Sequence, residues 1–423
     1  MDSLHKISFY LFLFFTPFTS AFAISGTINL PIISASILFA LNIARFFANN
    51  KFNKNFIGLE TISIVVLLIF VLFSFIINGV KYPFSLNHTL AYYSSFILFF
   101  LSPLFYLINY CTITDFNKNV LKYIVITVLV SAIFSLLEFS LTNIFSITVT
   151  DYIPRANVKD YDPFIVGFLI RSRGFAEESG HYGFMIEIFL PLCIYYMYSS
   201  EICTWKKAFK FFVVVCIILS IITSFSVASF LIIPTGVLFA LLFNINATLH
   251  FIKNYYKRIS VIILCLVVVW QLINIYIPIN EIISITISEK FDSFSYVDRA
   301  TRTEFFFKTF QNLPLTNIIL GAGPSGFKIL GYDDSFSFLS LYQTITFEVG
   351  LIGLLCLLFF LLSTFRKIYL IQNNFRTYLL ISFYCGISHY TSILNYWYPW
   401  FWIMCAFAIF YYYKSPRTLY VQS

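Results

Sequence analysis

Charge is what this chain has least of. Only 11% of its 423 residues are Asp, Glu, Lys or Arg, against about a quarter in ordinary soluble proteins. With 59% hydrophobic residues and a mean hydropathy of +0.84, a chain this apolar does not stay dispersed in water. It is far too hydrophobic for intrinsic disorder. Fifteen Gly and 13 Pro exclude collagen-like chains and Gly- or Pro-rich linkers. No internal repeat marks a solenoid. Eight cysteines occur, none within 143–179 or 280–345 and none in a CxxC or Cys/His pattern. A disulfide scaffold and a zinc module are therefore not indicated.

What the chain has instead is long apolar runs. A helix needs about 20 such residues to cross a bilayer core, and roughly twelve candidates meet that length: 7–24, 28–48, 58–78, 89–110, 120–142, 180–199, 209–225, 227–245, 259–279, 346–364, 378–393 and 396–412. The weakest separations are Ser224–Ser226 and Leu394–Asn395. Phe (54) and Tyr (29) are frequent, but backbone satisfaction in lipid allows only helices or a closed barrel. Continuous apolar runs lack the alternation of barrel strands. The expected fold is all-α: one polytopic helical membrane domain over 1–423, with two long outer loops at 143–179 and 280–345. Ala21-Phe22-Ala23 also fits a signal-peptide cleavage site, but Asp2 and the apolar run that follows favour a retained first helix.

Sidedness follows from the basic residues. With the N-terminus inside, alternate gaps hold 17 of the 27 Lys and Arg; nine of the others lie in the two long loops, leaving Lys81 in a short outer gap. Short loops set orientation, so both termini are expected in the cytoplasm and the long loops outside. The formal net charge of +8 then reflects topology and anionic inner-leaflet lipid, not nucleic-acid binding.

The polar content worth inspecting lies where the long loops re-enter the membrane. The first ends in Arg171-Ser172-Arg173-Gly174-Phe175-Ala176-Glu177-Glu178-Ser179-Gly180-His181-Tyr182-Gly183, with Arg155, Lys159, Asp151, Asp160 and Asp162 upstream. The second holds Asp298-Arg299-Ala300-Thr301-Arg302-Thr303-Glu304, then Gly321-Ala322-Gly323-Pro324-Ser325-Gly326-Phe327 and Asp333-Asp334-Ser335-Phe336. Guanidinium forks bind phosphate oxygens bidentately and keep their proton. At a membrane surface they suit a lipid-linked diphosphate. Neighbouring carboxylates suit a general base or sugar hydroxyls. Arg299 and Arg302 fall on one face of an interfacial helix, with Phe306, Phe307 and Phe310 as its headgroup anchors. Solvated loop charge that binds lipid headgroups is the plainer alternative.

In their order, these motifs, closed by Phe347-Glu348-Val349-Gly350-Leu351-Ile352-Gly353, resemble the O-antigen polymerase and O-antigen ligase superfamily. The resemblance covers roughly 165–360 in motifs. It implies a bacterial inner-membrane glycosyltransferase acting at the outer face on undecaprenyl-diphosphate-linked oligosaccharide, with a chain-length regulator and a flippase as partners. Ligases of the superfamily carry a His in the second large loop; here no His lies between His250 and His389. The reading is therefore a polymerase, inverting and without metal or other cofactor, with ligase and flippase as alternatives.

On that reading Arg173, Arg302, Arg171 and Arg299 recognise diphosphate. Glu178 stands at the family's acidic position and serves as base or sugar ligand, or else caps the next helix. His181 lies on the same helical face as Glu178, and Asp334 binds sugar or caps. Glu187 shares a face with Gly180 and Gly183 as part of a polar seam, since ionisable groups within spans are often functional. Glu138 is a second carboxylate inside or near a span end. Tyr396, Trp397, Tyr398, Trp400 and Trp402 are expected to form an interfacial aromatic belt.

Overall fold

The computed structural model describes residues 2–24, 28–49, 53–149, 152–155, 165–166, 169–199, 202–244, 271, 294–332 and 338–415. Fifteen helices run through them: α1 (Asp2–Phe15), α2 (Leu30–Asn49), α3 (Leu59–Gly79), α4 (Pro83–Tyr110), α5 (Ile113–Asn143), α6 (Ser179–Tyr198), α7 (Lys207–Ser224), α8 (Val227–Leu242), α9 (Phe294–Gln311), α10 (Leu315–Leu320), α11 (Gly326–Ile329), α12 (Leu341–Glu348), α13 (Gly350–Tyr369), α14 (Phe375–His389) and α15 (Trp400–Lys414). The strands among them are β1 (Ile165–Val166) and β2 (Leu169–Ile170), antiparallel with Ile165 opposite Ile170.

Among the described residues, six helices are long and apolar enough to cross a membrane: Leu30–Ala48 of α2, then α3, α4, α5, α7 and α13; the α1 segment Ser3–Phe15 and α8 are shorter apolar helices. The expected span 259–279 lies, apart from Gln271, outside the described residues.

Several boundaries move, for identifiable reasons. The first helix stops at Phe15, because Thr16-Pro17 follows and proline lacks the N–H that would continue the ladder. Ala21 is fully enclosed, its N–H bonded to the Phe175 carbonyl at 3.1 Å, so the Ala21-Phe22-Ala23 stretch is built into the fold. The α4 rod starts at Pro83 rather than residue 89, with proline at its first turn, where the missing N–H costs nothing. It passes Pro103 through a π turn at Ile97–Leu101, which relieves the clash of the proline ring with the preceding turn. Ser224–Ser226 is a tight reversal with Phe225 left-handed at φ 46°. The second weak separation is wider than a turn: ten residues, 390–399, divide α14 from α15.

Burial sorts the helices into two shells. Residues 181–193 of α6 and 400–411 of α15 are buried throughout, whereas α3, α7 and α8 expose rows of Ile, Leu, Val and Phe. A helix apolar on all faces belongs inside, and an apolar outer ring faces lipid. The inner pair touch each other; α6 also packs on α5, α7, α8 and α14, and α15 on α4, α13 and α14.

The two ends differ chemically. At one, Lys6 pairs with Asp115 at 2.9 Å, His5 meets Asn42 at 2.7 Å, and Glu60 is enclosed against Lys367 and Ser363, with Lys367 also bonded to the Tyr413 hydroxyl at 2.7 Å. At the other, the segments around Phe175, Gly321–Gly326 and 390–399 gather. These are called the basic end and the loop end below.

Removing one member of a buried ion pair strands the other charge, at about 3–5 kcal/mol. Lys367→Met should lower the thermal unfolding midpoint sharply in detergent, and adding Glu60→Gln should recover most of the loss. An unchanged midpoint in the single variant would show that the pair carries no such constraint.

Candidate functional site

The first polar stretch is folded by a carboxylate that does not belong to it. Glu138, in the last turns of α5, accepts hydrogen bonds from the backbone N–H groups of Arg173 and Gly174, both 2.8 Å, and from Arg155 Nη2 at 3.0 Å. Arg155 also donates to the carbonyls of Gly174 (2.7 Å) and Ala176 (2.9 Å). Gly174 turns with φ +57°, a conformation glycine adopts without penalty. Ser172 Oγ meets Ser135 Oγ at 2.9 Å and Thr223 Oγ1 at 3.1 Å, and Phe175 stacks between Phe18 and Phe134. The segment is thereby clamped to α5, α7 and the end of α1 before it enters α6.

Within this clamp the two arginines separate. Arg173 is 3% exposed, its Nη1 donates to the Glu177 carbonyl at 3.0 Å, and its Nε lies 3.9 Å from Glu138 Oε1. It holds the loop together. Arg171 is only half-buried, its Nη1 3.5 Å from the Phe225 carbonyl.

The groups that follow assemble on α6. Glu178 occupies the N-cap position and is exposed, but its side chain makes no capping hydrogen bond. Tyr398, from the 390–399 connection, donates its hydroxyl proton to Glu177 Oε2 at 3.0 Å and lies 2.8 Å from His181 Nδ1. A phenol has a single proton. Once that proton points to Glu177, Nδ1–H of His181 must be the donor in the second bond, which in the neutral ring leaves a lone pair on Nε2. That Nε2 makes no hydrogen bond to a described residue, and it is not among the fully enclosed polar atoms. The chain Glu177–Tyr398–His181 therefore presents an oriented imidazole with an available acceptor nitrogen, the requirement for a general base.

Glu187 lies deeper. It is fully buried, with Oε2 2.8 Å from His389 Nδ1, while Phe184 stacks on the His389 ring at 4.6 Å. This pair joins α6 to α14 beneath His181.

The second loop meets the same connection from the other side. Leu341 N–H donates to the carbonyls of Tyr390 and Ile393, both 3.0 Å, and the Tyr342 hydroxyl to Ile387 at 2.9 Å. Tyr396 stacks on Tyr92 at 4.1 Å, and the Tyr92 hydroxyl donates to Glu348 Oε2 at 2.7 Å. The 390–399 connection is thus the common wall of both loops.

Two expectations need correction. Tyr396, Tyr398, Trp400 and Trp402 are enclosed in the protein, not spread as a belt; the indole N–H groups donate to the carbonyls of Thr16 (2.8 Å) and Tyr396 (2.7 Å), and Trp397 alone of the five is half-buried. The connection folds inward around aromatic packing, with the Tyr398 hydroxyl partnered and the Tyr396 hydroxyl enclosed without a hydrogen bond to a described residue. Likewise Phe306 packs against Ala322, Phe327, Phe338 and Phe347, so the α9 anchor is the loop's own apolar cluster; Phe310 joins it and Phe307 stays exposed. Arg302 is half-buried on α9, with Arg299 one turn earlier on the same helix. Asp333 and Asp334 lie outside the described residues. Tyr398, Glu348, Tyr92 and His88 were not singled out from sequence as site residues. An isolated Tyr or His among aromatic runs carries no spacing signal.

No protein-family model, curated protein or solved structure matches the chain.

Glu138→Gln should destabilise the fold by about 3–5 kcal/mol, since Arg155 would keep a buried charge without its counter-ion. Glu178→Gln, at an exposed position, should stay within about 0.5 kcal/mol of wild type. Thermal unfolding in detergent compares them; equal midpoints would refute the clamp.

Proposed function

We propose that this chain is an oligosaccharide repeat-unit polymerase of a bacterial inner membrane, building O-antigen or a related surface polysaccharide from undecaprenyl-diphosphate-linked units. The observation that carries the reading is the Glu177–Tyr398–His181 array at the loop end, built from the Arg171–Gly183 stretch and flanked by half-buried Arg171 and exposed Glu178. The basic end is read as cytoplasmic and the loop end as the outer face, from the asymmetry of Lys and Arg among the short gaps.

In the proposed reaction, Arg171 and Arg302 hold the donor's diphosphate, and Arg173 positions the segment that carries Arg171. A hydroxyl on the non-reducing sugar of the acceptor attacks the donor's anomeric carbon. The new C–O bond forms as the bond to the diphosphate oxygen breaks, and undecaprenyl diphosphate leaves with the electron pair. His181 Nε2 takes the hydroxyl proton, and Glu178 hydrogen-bonds sugar hydroxyls at the mouth. Arginines fixed in advance around the leaving diphosphate lower the barrier because they need no reorganisation when charge develops. Displacement on the face opposite the leaving group inverts the anomeric centre.

The test is polymer formation by purified full-length protein in liposomes given undecaprenyl-diphosphate repeat unit alone. Wild type should produce a ladder of lipid-linked oligomers. His181→Gln should slow it by about 10²–10⁴-fold, the usual contribution of a positioned base, and Tyr398→Phe should lower the rate with the fold intact. Absence of a ladder, with glycan transferred only when lipid A-core is supplied, would make the protein a ligase. Repeat unit moved across the bilayer with no new bond would make it a flippase.

A further inference from the structure

A second polar cluster at the loop end takes no part in the chemistry above. Its centre is Glu348, 2% exposed, at the end of α12. Oε2 accepts the Tyr92 hydroxyl at 2.7 Å, Oε1 accepts the Ser325 N–H at 2.8 Å, and Oε1 lies 3.4 Å from His88 Nδ1. Two hydrogen-bond donors thus hold the carboxylate, and the imidazole lies against it without a hydrogen bond.

A considerable amount of structure serves this arrangement. The Gly321–Gly326 turn carries left-handed backbone at Gly321 (φ +85°), Gly323 (+95°) and Ser325 (+62°). A Cβ at Gly321 would collide with the Glu348 carbonyl. Three side chains from neighbouring helices fix the turn and its partner strand of backbone: Ser74 Oγ donates to the Glu348 carbonyl (2.7 Å), Asn78 Nδ2 to Gly321 (2.9 Å) and Ser85 Oγ to Pro324 (2.7 Å). Strained backbone persists where surroundings over-determine it, and such places cluster at functional sites.

The outward side of the cluster is cationic. His88 is 37% exposed at its side chain although Nδ1 is sealed against Glu348; Nε2 makes no hydrogen bond to a described residue and is not among the sealed atoms. Lys328 Nζ sits 5.7 Å over the Phe84 ring, and Phe84 lies one turn before His88 on the same helical face. Among the described residues, Glu348 and Lys328 are the charged groups that act on the imidazole, and Tyr92 bonds to Glu348. Beside them Val80, Leu86 and Leu90 are exposed, an apolar surface of the kind that borders lipid.

We infer that His88 and Lys328, backed by Glu348, form a second binding site for a lipid-linked diphosphate, that of the acceptor chain. The inference rests on the polymerase reading. That reaction engages two lipid diphosphates at once, and the acceptor reacts at its non-reducing end. Its diphosphate must therefore sit one repeat unit away from the attacked carbon, at a separate place on the same membrane face. His88 meets that requirement: it is connected to the His181 site through Tyr92, Tyr396 and Tyr398, yet set apart from it by the width of the 390–399 wall.

The test uses the full chain in phosphatidylcholine nanodiscs and radiolabelled farnesyl diphosphate as probe. Wild type should bind two equivalents. Lys328→Ala, a partly exposed change that spares the fold, should weaken one of them about tenfold, the scale of a lost charge-assisted contact. His88→Ala should do the same, His88→Lys should retain binding, and Arg302→Ala should weaken only the other equivalent. In the liposome assay His88→Ala should raise the repeat-unit concentration needed for half-maximal rate. Two equivalents with unchanged affinity in both His88→Ala and Lys328→Ala would overturn the assignment. So would equal displacement by inorganic pyrophosphate, which would mark a free-anion site, or by phosphatidylglycerol vesicles, which would mark a headgroup site. A wild type that forms no polymer yet loses one equivalent in the His88 variant would sink the reaction and keep the site.

Discussion

A carboxylate enclosed by apolar helices is costly unless its oxygens find donors, because neither water nor lipid supplies them. This constraint organises both ends of the molecule. Glu60 at the basic end is held by Lys367 and Ser363. Glu138 and Glu348 at the loop end recruit their donors from the connecting segments themselves: backbone N–H of Arg173 and Gly174 in one case, of Ser325 in the other. The loops are thus shaped less by cores of their own than by carboxylates standing at the ends of helices. The exception is the Phe306–Phe327–Phe338–Phe347 cluster, which gives the second loop a small core and seats α9.

Each carboxylate fixes its own loop, and among the described residues the 390–399 connection joins the two. Its aromatic residues face inward, with Tyr398 reaching Glu177 and His181 on one side and Tyr396 reaching Tyr92 on the other. Aromatic side chains packed this closely are stiff and low in conformational entropy. A wall built from them holds two sites at constant separation, which suits chemistry between two large substrates better than a mobile loop would.

The helical character of the chain, and most of its helix centres, followed from the lengths of its apolar runs. Boundaries were less legible, since proline acts on them in opposite ways: Pro17 ends α1, Pro83 starts α4, and Pro103, Pro191 and Pro234 lie within helices. Of the site, the Arg171–Gly183 stretch was visible because polar density at a re-entry point is conspicuous in so apolar a chain, and Glu177, Glu178 and His181 do stand together. What sequence concealed were the long-range partners. Tyr398 reaches His181 across 217 positions, and Tyr92 reaches Glu348 across 256. An aromatic residue in an aromatic run looks the same whether its hydroxyl points to lipid headgroups or to a buried acid. Arg173 was conspicuous for its charge, yet a charge at a loop base is equally what a buried Glu138 requires.

The histidines show how backing decides chemistry. At the basic end His5 is enclosed with Asn42, and His389 is sealed against Glu187 within the bundle. Two of the described histidines, His181 and His88, lie at the loop end, and their supports differ. His181 reaches its acid through a phenol: Tyr398 gives its own proton to Glu177 and accepts from Nδ1, so the ring is held as a neutral tautomer with a lone pair outward. His88 faces its carboxylate directly at 3.4 Å with no phenol between them, and Lys328 lies over the Phe84 ring one turn away. One arrangement is suited to taking a proton and the other to holding an anion. On the proposed reading, the same residue type is divided between catalysis and binding by whether a tyrosine stands between imidazole and acid.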